Sequence, residues 1–218
     1  TQDVYHVSIR GIRFDWPLLK LIIHQGLPSG MQNSIISIAN MVVQSNINSF
    51  GKMAMAGGGA DREVDGVGFL LITWFAIAMT TFIGQNLGAR EFDRVKKGAR
   101  FGILCGVGLA EAVGIGINLF IPQLIALFDR TPEVIQFGVT QAKIVTLFYF
   151  LLSFSYVIAG IMRGAGKSMV PMLVMLISWC LIRITYVTIT IHFIPDIRVV
   201  FWAYPMTWTI SSIIFLIY

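Results

Sequence analysis

Apolar positions in this chain gather into six long runs, at about 28–50, 67–87, 98–120, 137–162, 169–193 and 200–218. Each is about long enough to cross a hydrocarbon core of roughly 30 Å at a rise of 1.5 Å per residue. The pattern predicts an all-α membrane protein, a bundle of six transmembrane helices. The polar stretches between the runs differ in character. Gly57-Gly58-Gly59, followed by Asp61, Glu63 and Asp65, reads as an acidic, flexible connection. The next holds Arg90, Arg94, Lys96 and Lys97, and the third Asp129, Arg130, Pro132 and Glu133. Arg163-Gly164-Ala165-Gly166-Lys167 reads as a tight basic turn, and the fifth connection is short, around Pro195-Asp196.

Composition supports the membrane reading. Apolar residues make up 56% of the chain and charged residues 12%, against about 25% charged in an average soluble domain. That is too few charges to cover a water-facing surface, and a bilayer removes the need for one. The net charge of +5 could suggest a nucleic-acid partner, but its distribution argues otherwise. If alternate connections share a side, ten basic residues fall on one side: Arg10, Arg13, Lys20, Arg90, Arg94, Lys96, Lys97, Arg100, Arg163 and Lys167. Five, Lys52, Arg62, Arg130, Lys143 and Arg198, fall on the other beside six acids. The positive-inside rule places the ten in the cytoplasm, so the basic residues serve orientation and no nucleic-acid partner is expected. Residues 1–27 carry Arg10, Arg13 and Lys20 among Ile9, Ile12, Phe14, Trp16, Leu18 and Leu19. They read as an amphipathic segment at the inner membrane face and not as a signal peptide. A chain that opens this way, without an initiator Met, reads as an excerpt of something longer. Cys105 and Cys180 lie in apolar runs with no metal or disulfide spacing.

Some runs carry polar stripes. Asn33, Ser37, Asn40, Gln44 and Asn48 recur every three or four residues, which puts them on one face of the first helix. Amides facing lipid are costly, so this face meets protein or water. It is either an interhelical hydrogen-bonded seam or the lining of a polar cavity. A weaker stripe, Tyr149, Ser153, Tyr156 and Gly160, marks the fourth helix, and Thr73, Thr80, Thr81 and Gln85 mark the second. Aromatic hydroxyls beside small residues suit a cavity for flat cationic molecules, because rings attract cations, though core packing is the first reading of any single tyrosine. Gly98, Gly102, Gly106, Ala110 and Gly114 form a small-residue ladder for close helix packing. Glu111 and Arg183 sit deep in apolar runs at similar depth. Touching, they would be a structural lock; apart, Glu111 could carry a proton. No phosphate loop, catalytic carboxylate pair or His/Cys metal cluster occurs, so no enzyme chemistry and no bound cofactor is expected.

Three stretches resemble the multidrug and toxic compound extrusion (MATE) family. They are Thr81-Phe82-Ile83-Gly84-Gln85-Asn86-Leu87-Gly88-Ala89, Gly160-Ile161-Met162-Arg163-Gly164-Ala165-Gly166-Lys167 with Val170-Pro171, and Gly26-Leu27-Pro28 before the polar helix. The resemblance implies a twelve-helix transporter of two six-helix lobes. In it, residues 28–218 are the C-terminal lobe and 1–27 the cytoplasmic linker from an N-terminal lobe of the same polypeptide. It further implies alternating-access antiport of cationic or amphiphilic organic compounds against sodium ions or protons, in the inner membrane of a bacterium, with the lipid bilayer, that second lobe and a small-molecule substrate as partners. The substrate pathway would include Asn33, Ser37, Asn40, Gln44, Gln85, Tyr149, Ser153 and Tyr156. Some members place a carboxylate in the first and fourth helices, where this chain has Asn33, Ile36, Leu152 and Ser153. A lipid-linked oligosaccharide flippase of the same superfamily, or a non-transporting membrane scaffold, are the competing readings.

Overall fold

The computed structural model describes residues 13–218. Among these it contains six helices: α1 (Trp16–Asn48), α2 (Lys52–Gly88), α3 (Phe92–Ala126), α4 (Pro132–Gly164), α5 (Met169–Phe193) and α6 (Ile197–Ile217). Five of them, α2 to α6, are long and apolar enough to cross a membrane. The amide stripe makes α1 too polar to meet that measure. Between 22% and 50% of the most apolar stretch of each of the five is buried inside the bundle. The remainder, with side chains such as Phe101, Leu104, Leu119 and Leu216 exposed, is an apolar outer surface suited to lipid.

Two expectations change. The Gly57-Gly58-Gly59 stretch is not a flexible connection but part of α2, which begins at Lys52 and runs 37 residues, about 55 Å. Three glycines together are poor helix formers, and packing overrides that preference. A Cβ on Gly57 would lie 2.6 Å from the Val134 carbonyl oxygen and 2.8 Å from Phe137 Cβ. Only glycine lets α2 and α4 approach so closely. Of the three acids that suggested a loop, Glu63 alone is exposed, and Asp61 and Asp65 are buried. The second change concerns α1. No break separates an interfacial segment from a spanning one at residues 27 and 28, because the helix starts at Trp16 and continues through Pro28. Asp15 caps it by accepting from the Leu18 N–H at 3.1 Å. Its first turns are tied to the α4–α5 turn, where Gln25 donates to the Gly166 carbonyl at 2.8 Å and accepts from the Ser168 hydroxyl. Residues 1–12, with Arg10, lie outside the described residues.

The α2–α3 and α4–α5 turns are built alike. Glu91 N–H bonds the Asn86 carbonyl at 2.9 Å, and Lys167 N–H bonds the Met162 carbonyl at 2.8 Å. Both are helix ends closed by a left-handed residue, Arg90 at φ 61° and Gly166 at φ 79°. They lie at the same end of the bundle, since Gly84 and Gly164 touch across α2 and α4. Lys96 and Lys167 therefore share an end, as the charge distribution predicts. The α1–α2 and α5–α6 connections meet at the opposite end, where Ile47, Ala54, Ile197 and Val200 form one apolar cluster.

Two irregular turns sit at mid-helix. In α4 the winding tightens over Thr146–Phe148, and in α5 it widens into a π-helical stretch over Leu176–Ile182 that ends at Arg183. Wide turns of this kind often serve functional sites. The main core, with Tyr149, Leu152, Met175, Trp179 and Trp208, lies between these irregularities.

Candidate functional site

The amide stripe of α1 opens onto a surface groove of about 520 Å³, walled by Ser37, Asn40, Gln44 and Asn48 with Arg62 of α2. Arg62 reaches across to donate to Gln44 Oε1. Behind it lies a cavity of about 210 Å³, where Asn40 and Gln44 meet Asp65 and Phe69 of α2, Gln141 of α4, and Tyr204 and Trp208 of α6. A third space of about 150 Å³ shares Asn40, Phe69, Tyr204 and Trp208 and adds Tyr156, Trp179 and Arg183. The shared residues make a path from an open polar mouth to an aromatic chamber. Trp179 stacks obliquely on Tyr156 with ring centres 5.5 Å apart and donates to Ser211 at 3.0 Å. These contacts fix the rings as chamber walls, and the Arg183 guanidinium lies 5.8 Å from the Trp179 ring centre.

Five of the eight residues expected on the substrate pathway lie on or beside this path. Ser37, Asn40, Gln44 and Tyr156 line it. Tyr149 stands behind its wall, fully buried, donating to Asp65 Oδ1 at 2.5 Å. Asn33 is exposed on α1. Ser153 is instead buried, donating to the Gly106 carbonyl at 2.8 Å where α3 crosses α4. Gln85 is exposed on α2, and its distance from Asp65 along that helix, about 30 Å at the helical rise, removes it from the chamber.

Glu111 and Arg183 are not brought together. Glu111 Oε2 accepts from the Phe150 N–H at 3.2 Å, at the tight turn of α4. Arg183 is 2% exposed, and each of its three nitrogens donates to a neutral side chain. Nε and Nη2 bond Thr207 Oγ1 at 3.2 and 2.8 Å, and Nη1 bonds Asn40 Oδ1 at 3.2 Å. Its guanidinium lies 4.6 Å from the Tyr204 ring centre. Glu111→Gln keeps an oxygen for Phe150, so it should cost under about 1 kcal/mol, and combining it with Arg183→Met should be additive within about 0.5 kcal/mol. Denaturant titration of the four forms of the protein checks this; coupling beyond about 1 kcal/mol would restore the lock.

Sequence reading missed Asp61, Asp65 and Gln141, the first two because they lie within a glycine- and acid-rich stretch taken for a connection. A signal was present. Ala54, Gly57, Asp61, Asp65, Gly68 and Ile72 recur at helical spacing and form the buried face of α2.

Comparison with known proteins agrees with this architecture. The MatE family model matches residues 28–189, and the chain belongs to that family. Among curated relatives, the probable multidrug resistance protein YpnP of Bacillus subtilis (strain 168) is 29% identical over 168 residues, 77% of this chain and 38% of the relative. The probable multidrug resistance protein NorM of Thermotoga maritima is 28% identical over 163 residues, 75% of this chain and 35% of the relative. This chain thus spans well under half the length of these relatives. A solved MATE structure in complex with MaL6 superposes with a TM-score of 0.86 at 21% identity, over 96% of this chain and 48% of the other. The MOP superfamily transporter of Pyrococcus furiosus gives 0.84 at 19% identity, over 90% and 43%. The fold is that of one lobe of such a transporter.

Proposed function

We propose that this chain is the C-terminal lobe of a secondary active multidrug exporter that antiports cationic or amphiphilic organic compounds against sodium ions or protons by alternating access. One observation carries the reading: the α1 amides form the wall of an open groove that leads to an aromatic chamber, and not a closed seam. Transporters of the two-lobe kind place substrate near the midplane between lobes, and a groove of this kind supplies one half of such a site. The relatives named as multidrug resistance proteins, YpnP and NorM, supply the substrate class. On this reading the protein is a carrier and not an enzyme, its second lobe lies elsewhere in the same polypeptide, and its basic end faces the cytoplasm of a bacterial plasma membrane. The test is efflux of a fluorescent organic cation by vesicles holding the intact parent protein, with sodium and proton gradients imposed separately. Export under at least one gradient is the expected result. Absence of export under both, with the protein folded and inserted, overturns the reading.

A further inference from the structure

Arg183 carries a positive charge into the aromatic chamber. It is the single charged side chain lining the innermost space of about 150 Å³, and the π-helical stretch of α5 ends at it. The acceptors that its guanidinium bonds among the described residues are neutral: Thr207 for Nε and Nη2, Asn40 for Nη1. The Tyr204 and Trp179 rings, 4.6 and 5.8 Å away, offset part of its desolvation. A buried cation is stabilised far more by an anion. A guanidinium has five N–H donors. Two remain here, one on each terminal nitrogen, and such a pair suits the two oxygens of a carboxylate. The acceptor on Nη1 is also replaceable. Asn40 is exposed on α1 and borders groove, cavity and chamber alike, so a guest entering along the path meets it before Arg183. Its neutral amide oxygen stands 3.2 Å from Nη1, where a carboxylate would bond more strongly. The rest of the path has the same polarity. Its charged lining residues are Arg62, Asp65 and Arg183, two guanidiniums against one carboxylate.

We infer that the chamber takes the carboxylate of a small aromatic acid, with Arg183 as its anchor and the Asn40 amide as the stand-in that the guest displaces. A space of about 150 Å³ holds a benzene-sized ring, and the adjoining cavity of about 210 Å³ has room for a second ring against Phe69, Tyr204 and Trp208. A phosphate group brings three oxygens and up to two charges, more than two free donors on one cation answer. The inference rests on the exporter reading and deepens it, because it names the substrate class: an amphiphile with a flat body and an anionic head. Arg183 then sets specificity twice, by holding that head and by repelling organic cations from the same space.

Three matched probes test it: naphthoate, its neutral carboxamide and naphthylmethylammonium, which share a ring system and differ in the charge of the head. Calorimetric titration of each into the purified protein is expected to show naphthoate binding about tenfold tighter than the carboxamide, or more. Asn40→Asp sets an internal carboxylate beside Nη1 at an exposed position. It should abolish the naphthoate advantage, leave carboxamide binding unchanged and tighten the ammonium. Arg183→Gln, which keeps hydrogen-bonding capacity without charge, should likewise abolish the advantage. If Arg183→Gln does not fold, Asn40→Asp decides. A residue that only ties α5 to α1 and α6 would give no dependence on head charge. Equal affinities of naphthoate and carboxamide for the unaltered protein overturn the proposal, as does an absence of naphthoate binding or an advantage that survives Asn40→Asp. Because the readout is binding, the two ideas fail separately. Export of organic cations with no preference for naphthoate removes the anchor and leaves the exporter. Naphthoate binding that Asn40→Asp abolishes, without export under any gradient, does the reverse.

Discussion

Adding one methyl group at Gly114 is expected to destabilise the bundle by about 2–3 kcal/mol, whereas the same addition at Gly116 should be neutral or stabilising by up to about 1 kcal/mol. Both glycines are in α3, so the helical preference for alanine is the same at each. The difference is what the methyl meets. At Gly114 a Cβ would collide with the backbone carbonyl oxygen of Thr146 and press on the Tyr149 ring. Thr146 begins the tight turn of α4 and is fully buried, with its hydroxyl accepting from Asn118 at 3.0 Å. Such a backbone atom has no rotamer by which to move aside, so helices must part. At Gly116 nothing lies within 4 Å. Gly102 should fall between the two, because the neighbour there is the flexible Met79 side chain. Unfolding of the alanine variants of the protein in increasing denaturing detergent orders them. Equal loss at Gly114 and Gly116 would show that α3 and α4 do not cross as described.

Replacing Arg183 by methionine is expected to leave the fold intact and tighten the binding of organic cations about tenfold. Removal of one member of a buried ion pair is damaging because a charge is left behind, but Arg183 leaves none. Thr207 retains its bond to the Ala203 carbonyl at 2.9 Å, and Asn40 is exposed and able to take water. The functional effect has the opposite size. A guest cation in the chamber would sit roughly 8 Å from the guanidinium, where repulsion amounts to about 2 kcal/mol at an effective dielectric near 20. Solvent in the open groove reduces this, which leaves about 1.4 kcal/mol, or tenfold. Loss of Arg183 also frees the Tyr204 face for a cationic guest. Fluorescent-cation titration of the purified protein measures the change. Unaltered affinity would place the substrate away from this chamber.

Much of the architecture was legible along the chain. Long apolar runs specify membrane helices because a bilayer tolerates no unsatisfied backbone. The charge asymmetry grouped Lys96 with Lys167, and the spacing of Asn40, Gln44 and their neighbours fixed a single polar face of α1. Glycine punctuation also gave the basic turn at Gly164–Lys167, since a left-handed residue at Gly166 is a local matter. These features depend on a few residues and their immediate surroundings.

The rest was decided by contacts between distant residues. Gly57-Gly58-Gly59 is helical only because α4 packs against it, and a local preference cannot report a neighbour some eighty residues away. The same contact turned Asp61 and Asp65 from loop residues into buried ones and set Gln141 opposite them. Depth alone made Glu111 and Arg183 look like partners, but depth leaves the position around the bundle undetermined. Glu111 bonds the α4 backbone at Phe150, and Arg183 ties α5 to α1 and α6. The sequence by itself determined the helices, their order and the polar face of α1, because each follows from hydrophobicity and period. Which of those polar groups meet, and which acids are left without a partner, only the packing of the six helices decided.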